Sequence, residues 1–190
     1  MNEINLLPPT KDNKVLLHVC CAPCAGSIIE AILESGINLT LFFYNPNIYP
    51  RDEYEKRKNE VIRYALKKEI PYIDAEYDSK TWNAKIKGLE NEPERGKRCD
   101  KCFDIRLSKT ALCASENNIH CFATTLGISR WKDLDKVNKT GKLSAEQFPA
   151  LQFWDFNWRK KNGSQRASQI AKEENFYRQK YCGCEFSIRN

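Results

Sequence analysis

No stretch of the 190-residue chain is apolar for long enough to cross a bilayer as a helix. Residues Met1 to Asn13 hold no apolar run followed by a small-residue cleavage site, so they do not read as a secretory signal. Internal repeats and low-complexity linkers are absent as well. There are only two histidines, His18 and His120, and both fall in candidate strands, where an imidazole is packed or hydrogen-bonded rather than catalytic. These absences exclude a membrane span and a repeat array, and they make a secreted disulfide scaffold a poor fit. Nine cysteines in a chain this long, an odd number, point instead to a reducing cytoplasm with no membrane partner.

What the chain does have is cysteine in tight groups. Cys20-Cys21-Ala-Pro-Cys24, Cys99-Asp-Lys-Cys102 and Cys182-Gly-Cys184 hold seven of the nine, while Cys113 and Cys121 stand alone, as small buried hydrophobes do. Thiolates two residues apart can serve one metal centre from a single turn, and two such supports supply the four soft ligands of tetrahedral zinc or a cubane cluster. Spacing alone leaves zinc and iron-sulfur equally open. Cys21-Ala-Pro-Cys24 after a strand also looks like a thioredoxin-type pair, but that chemistry leaves Cys20 and the other two groups without roles. A disulfide between Cys182 and Cys184 would close a small strained ring across one glycine, suited to two-electron exchange; a further metal-ligand pair is the alternative.

Lysine and arginine exceed aspartate and glutamate by 31 to 25, a formal charge of +6 that fits an anionic partner. From Arg159 to Lys180 seven basic residues face two acidic ones. Trp154, Phe156, Trp158 and Tyr177 lie among or beside them. Cations next to aromatic rings suit looped RNA; a solvated helix face flanked by core aromatics explains the same composition.

At this length one domain with a conventional core is expected. Strand candidates at residues 16–19, 39–44, 72–77, 120–125 and 150–156 alternate with helical patterns at 27–34, 54–66, 82–89, a longer stretch carrying Phe103, Leu107, Ala111 and Ala114, and 131–138. This alternation predicts an α/β domain with a mainly parallel sheet flanked by helices. In such sheets ligands collect beyond the carboxyl ends of the strands, where Cys20, Cys21 and Cys24 fall. Asp78 is placed at the same end of the third strand candidate, and it serves equally as a cap for the next helix.

Four strings occur in order: Cys20-Cys21-Ala-Pro-Cys24; Glu94-Arg-Gly-Lys-Arg-Cys-Asp-Lys-Cys102; Thr124-Thr-Leu-Gly-Ile-Ser129; and Tyr177-Arg-Gln-Lys-Tyr-Cys-Gly-Cys184. With Asp155-Phe156 before a basic stretch, they make the chain resemble the QueH family of epoxyqueuosine reductases from about Val15 to the C-terminus. The resemblance implies reduction of the epoxide of epoxyqueuosine, at the wobble position of a tRNA, to the alkene of queuosine. It implies a [4Fe-4S] cluster on Cys20, Cys21, Cys99 and Cys102, a neighbouring mononuclear iron, and Cys182 with Cys184 as the redox-active pair, without cobalamin. Cys24 and Asp78 are the candidates for the second iron, and Asp78 is also carried as a catalytic candidate. The partners implied are tRNA and an electron donor of unidentified nature.

An RNA substrate assigns phosphate contacts to Lys160, Lys161, Arg166 and Arg178, although Arg178 could instead position the Cys182-Gly-Cys184 loop. Residues 1–13 fall outside the match and are expected as an N-terminal extension, with residues 14–190 as the reductase domain. The strand-loop-helix start is also compatible with the nucleotide-binding α-hydrolase (HUP-like) architecture. There a Ser-Gly-Gly-rich loop would cradle pyrophosphate; cysteines occupy that place here, so ATP is not expected. The other readings are a zinc-stabilised RNA-binding protein and a metal-free thioredoxin-like thiol oxidoreductase.

Overall fold

The computed structural model describes residues 5–160 and 162–188. Five parallel strands, β1 (Lys14–His18), β2 (Asn38–Phe43), β3 (Tyr72–Asp74), β4 (Cys121–Thr124) and β5 (Gln152–Phe153), form one sheet in the order β3-β2-β1-β4-β5. Six α-helices accompany them: α1 (Ala22–Glu34), α2 (Arg51–Lys67), α3 (Ser79–Ile86), α4 (Lys97–Glu116), α5 (Leu134–Ala145) and α6 (Gly163–Glu173). The expected single α/β domain with a parallel sheet is what forms.

Side chains of a strand alternate between faces, and here both faces are covered, so the interior of β1, Val15 to Leu17, is apolar on both sides. Val15, Leu17 and Val19 pack with α1, α2 and α6 residues such as Ile28, Tyr64 and Ile170. Leu16 enters a second cluster with Phe42, Phe122, Trp82 and Ile105 on the opposite face. Helix α6 lies close along α1: a Cβ built on Gly26 would come within 2.8 Å of Ile170 Cγ2, so this approach requires glycine.

The chain runs from β1 outward to β3 and then returns to β4 on the other side of β1. The strand order therefore reverses between β1 and β4, and this is where an open parallel sheet leaves a crevice. Buried His18 ties the strand ends together there, with Nδ1 2.8 Å from Thr124 Oγ1 and Nε2 3.2 Å from the Tyr44 carbonyl. It is packed and hydrogen-bonded, as expected. His120 meets Asp12 at 2.9 Å on the surface.

Several boundaries differ from the sequence reading. Strand β3 stops at Asp74, which detaches Asp78 from the sheet. The fifth helix starts at Leu134 rather than near Trp131, because Asp133 accepts the backbone N–H groups of Asp135 and Lys136 and so caps it. Helix α6 arises within the basic segment. Residues 5–13 lack helix or strand, yet Leu6 is buried and its N–H donates to Ser35 Oγ at 3.0 Å.

Candidate functional site

The crevice at the strand reversal opens into a cavity of about 370 Å³, and all seven grouped cysteines line it. The first wall is the turn from β1 into α1. Cys21 is the extended residue preceding α1, and Pro23 follows in the first turn, where its missing N–H costs no helical bond. This turn brings the Sγ atoms of Cys20, Cys21 and Cys24 within 4.8 Å of one another, Cys20 and Cys21 being 3.8 Å apart. Thr125, just past β4, bridges the reversal: its Oγ1 accepts from the Cys20 N–H at 3.0 Å and donates to Cys20 Sγ at 3.2 Å.

The second wall is the start of α4. Cys99 and Cys102 are three residues apart on one helix face, and Arg106 follows one turn later on the same side. The preceding loop is fastened by buried Arg98, which donates to the carbonyls of Leu89, Glu90 and Glu92. Arg106 donates to Asn45 Oδ1 at 2.5 Å, and Asn45 Nδ2 donates to the Val19 carbonyl at 2.9 Å, joining α4 to the end of β1. Arg106 Nη1 also lies 4.0 Å from Cys102 Sγ.

The third wall is the C-terminal loop. Arg57 and Glu53 form a buried ion pair on α2, with Nη2 2.7 Å from the carboxylate. The same guanidinium donates to the carbonyls of Cys182 at 2.9 Å and Tyr181 at 3.2 Å. Gly183 has φ +144°, and a Cβ there would press on Asn47, Arg57 and Ile48 at 3.1 to 3.2 Å. Only glycine accommodates both the backbone and the crowding. Cys182 is exposed, Cys184 is buried, and both are free thiols.

Electrostatics separates the thiols. Hydrogen bonds from Cys21 and Cys24 pull Cys20 well below the usual thiol range against burial, with Lys132 and Arg106 adding positive charge. The hydrogen bond to Cys20, together with burial, pushes Cys21 up to about 12, and Cys24 is raised for the same reasons. Burial raises Cys99, Cys184 and Cys102, the last to about 11. Burial alone would lower Lys132, but the sulfurs of Cys182, Cys20 and Cys24 that face it raise it overall and favour the ammonium form. Lone Cys113 and Cys121 are buried, with thiols pushed up to about 11 and 12 by burial, in keeping with packing roles.

Not every residue expected at the site is there. Asp78 does not line the cavity; its Oδ1 accepts the Thr81 N–H at 3.0 Å as the cap of α3, and this bond lowers its carboxyl. The iron-site role expected of Asp78 gains no support from this placement, in which Oδ1 caps a helix away from the cavity lining. Cys24 sits with Cys20 and Cys21. Lys160, Arg166 and Arg178 also lie away from the cavity lining, and Lys161 is outside the described residues. Arg166 is held by Glu30 at 2.5 Å and Glu173 at 3.2 Å, and Arg178 donates to the Ser168 carbonyl. Trp154 and Trp158 are buried and pack edge-on with centroids 5.3 Å apart, so they belong to the core rather than to an RNA-stacking surface.

Thr125, Arg57, Arg106 and Lys132 were missed from sequence. Of these, Thr125 lies within the Thr124-to-Ser129 string, and Arg106 carried a signal in its four-residue spacing from Cys102 on a helix.

The sequence profile described as "Epoxyqueuosine reductase QueH" matches residues 15–190. Among curated relatives, epoxyqueuosine reductase QueH of Acinetobacter baylyi is 50% identical over 188 residues, covering 99% of this chain and 86% of that protein. The Haemophilus influenzae protein of the same name is 53% identical over 182 residues, covering 96% and 74%. That of Thermotoga maritima is 36% identical over 177 residues, covering 92% and 90%. The fold is similar to that of the U34-tRNA thiolase NcsA from Methanococcus maripaludis with its [4Fe-4S] cluster, with TM-score 0.61 and 14% identity, over 94% of this chain and 63% of that longer one.

Proposed function

The chain belongs to the epoxyqueuosine reductase QueH family, and from that premise we propose that it reduces epoxyqueuosine in the anticodon of tRNA to queuosine. The observation that carries this reading is the meeting of three cysteine groups, distant in sequence, around one cavity at the strand reversal.

The donor set fits an iron-sulfur centre. Three sulfurs converge on one wall, two more face the same cavity from α4, and Arg106 and Lys132 place fixed positive charge beside them. We assign Cys20, Cys21, Cys99 and Cys102 to a [4Fe-4S] cluster and Cys24 to a neighbouring iron. The bound centres would supply single-electron transfer and Lewis acidity toward the epoxide oxygen. Cys182 and Cys184 hold the electron pair as a dithiol. Removing the epoxide oxygen as water consumes two electrons and two protons; oxidation of the dithiol to its disulfide releases the same, so epoxide and dithiol give alkene, water and disulfide. An external electron donor then restores the dithiol.

The remaining residues position this chemistry. Arg57 fixes the loop through two carbonyls, Gly183 lets it turn, and Thr125 holds Cys20 across the reversal. Anaerobically isolated protein is expected to contain about four irons and four sulfides for the cubane, with any neighbouring iron in addition. One zinc and no sulfide would overturn the cluster and favour a zinc-stabilised RNA-binding protein.

A further inference from the structure

Trp131 is the exposed member of four tryptophans, at 67% relative accessibility, while Trp82, Trp154 and Trp158 are buried. It stands at the mouth of the cysteine-lined cavity. A single exposed apolar side chain is ordinary on a protein surface, and what sets this indole apart is its place in the lining of the site. Its backbone is held still: Arg95 donates to the Trp131 carbonyl at 2.9 Å and the Arg130 carbonyl at 3.4 Å from one side. From the other, Arg159 donates to the carbonyls of Gly127, Ser129 and Lys132 at 2.6 to 2.9 Å. Two arginines thus clamp a five-carbonyl turn whose only large apolar projection is an exposed ring.

The surroundings are cationic. Arg130 lies over the indole, 4.9 Å from its centroid, and Lys180 borders the cavity from the opposite loop. Among the described residues, neither Arg130 nor Lys180 forms a salt bridge with a carboxylate. An exposed ring with unneutralised cations at the rim of a base-sized cavity is the arrangement that receives a single-stranded nucleotide: a base stacks on the aromatic face and its phosphates meet the cations.

We propose that Trp131, with Arg130 and Lys180, is the platform on which a nucleotide flanking the wobble position stacks while the modified base enters the cavity. This rests on the reductase reading above and moves the RNA surface from α6 to the cavity rim. Pre-ordering of the turn by Arg95 and Arg159 means that little conformational entropy is lost when the base lands.

The test uses iron-loaded protein and an anticodon stem-loop bearing epoxyqueuosine, with binding followed by anisotropy of a labelled loop and turnover by nucleoside mass spectrometry. Trp131→Ala is expected to weaken binding about tenfold, ~1.4 kcal/mol and within the range of one base-aromatic stack, with the loss appearing in KM rather than kcat. Trp131→Phe should restore most of it, and Arg130→Ala should lower the salt slope by about one. Unchanged affinity in Trp131→Ala, or equal loss in the alanine and phenylalanine variants, overturns the platform while leaving the reductase reading intact. A wild-type protein that binds the stem-loop but converts none of it overturns the reductase reading, and with it this inference.

Discussion

Thr125 Oγ1 is at once the acceptor for the Cys20 N–H at 3.0 Å and the donor to Cys20 Sγ at 3.2 Å. One hydroxyl therefore joins the ends of β1 and β4 across the point where the strand order reverses. Thr125→Val keeps the shape and removes both bonds, leaving the Cys20 N–H without its partner. A loss of about 1–3 kcal/mol is expected in chemical denaturation, and Thr125→Ser should recover most of it. A valine variant as stable as the parent would contradict the bridge.

Arg57 reaches the Cys182 and Tyr181 carbonyls while paired with buried Glu53. Arg57→Met strands the carboxylate, at an expected cost of about 3–5 kcal/mol. Arg57→Lys keeps the charge but cannot span two carbonyls and Glu53 together. The lysine variant is therefore predicted to keep its iron and sulfide content while losing turnover. Full turnover in that variant would show that the loop is positioned by something else.

Asp78 tests the distinction between a cap and a ligand. Its carboxyl is lowered by the Thr81 hydrogen bonds, so the stabilisation it gives is present above the unfolded pKa of about 3.9 and is lost as pH falls through the folded value. Asp78→Ala should cost about 1 kcal/mol at neutral pH, and Asp78→Asn, a good cap, only a fraction of that. Both variants should retain full iron. Iron loss in Asp78→Asn would restore Asp78 to the metal site.

Arg166 is neutralised by Glu30 and Glu173. Arg166→Ala is expected to cost about 1 kcal/mol of stability and to leave affinity for tRNA as it was, measured at two salt concentrations. Weaker binding with a shallower salt slope would return α6 to the RNA interface.

The contrast between Cys102 and Asp78 shows what the sequence could convey. Parallel α/β architecture was legible because β1 and β4 are apolar on both faces and are separated by helical patterns. The cysteine groups were legible because spacing within a turn is local. Asp78 was misplaced because β3 is three residues long and ends before the strand-like run Tyr72 to Tyr77 does. The aromatic-basic segment misled for a related reason: composition does not distinguish the buried faces of Trp154 and Trp158 from an exposed one, and both rings join the buried cluster that α1 and α6 residues share. Arg57 lies 125 residues from Cys182, and no local pattern announces that contact.

The central claim is that the cysteine-lined cavity removes the epoxide oxygen with electrons delivered through Cys182 and Cys184. The measurement is nucleoside mass spectrometry of epoxyqueuosine-bearing tRNA after anaerobic incubation with reconstituted protein and a chemical reductant, run alongside Cys182→Ser. The account predicts queuosine with the parent protein and none with the variant, at equal iron content. Unreduced epoxyqueuosine with the iron-loaded parent would contradict the reaction, and undiminished queuosine with Cys182→Ser would contradict the electron route.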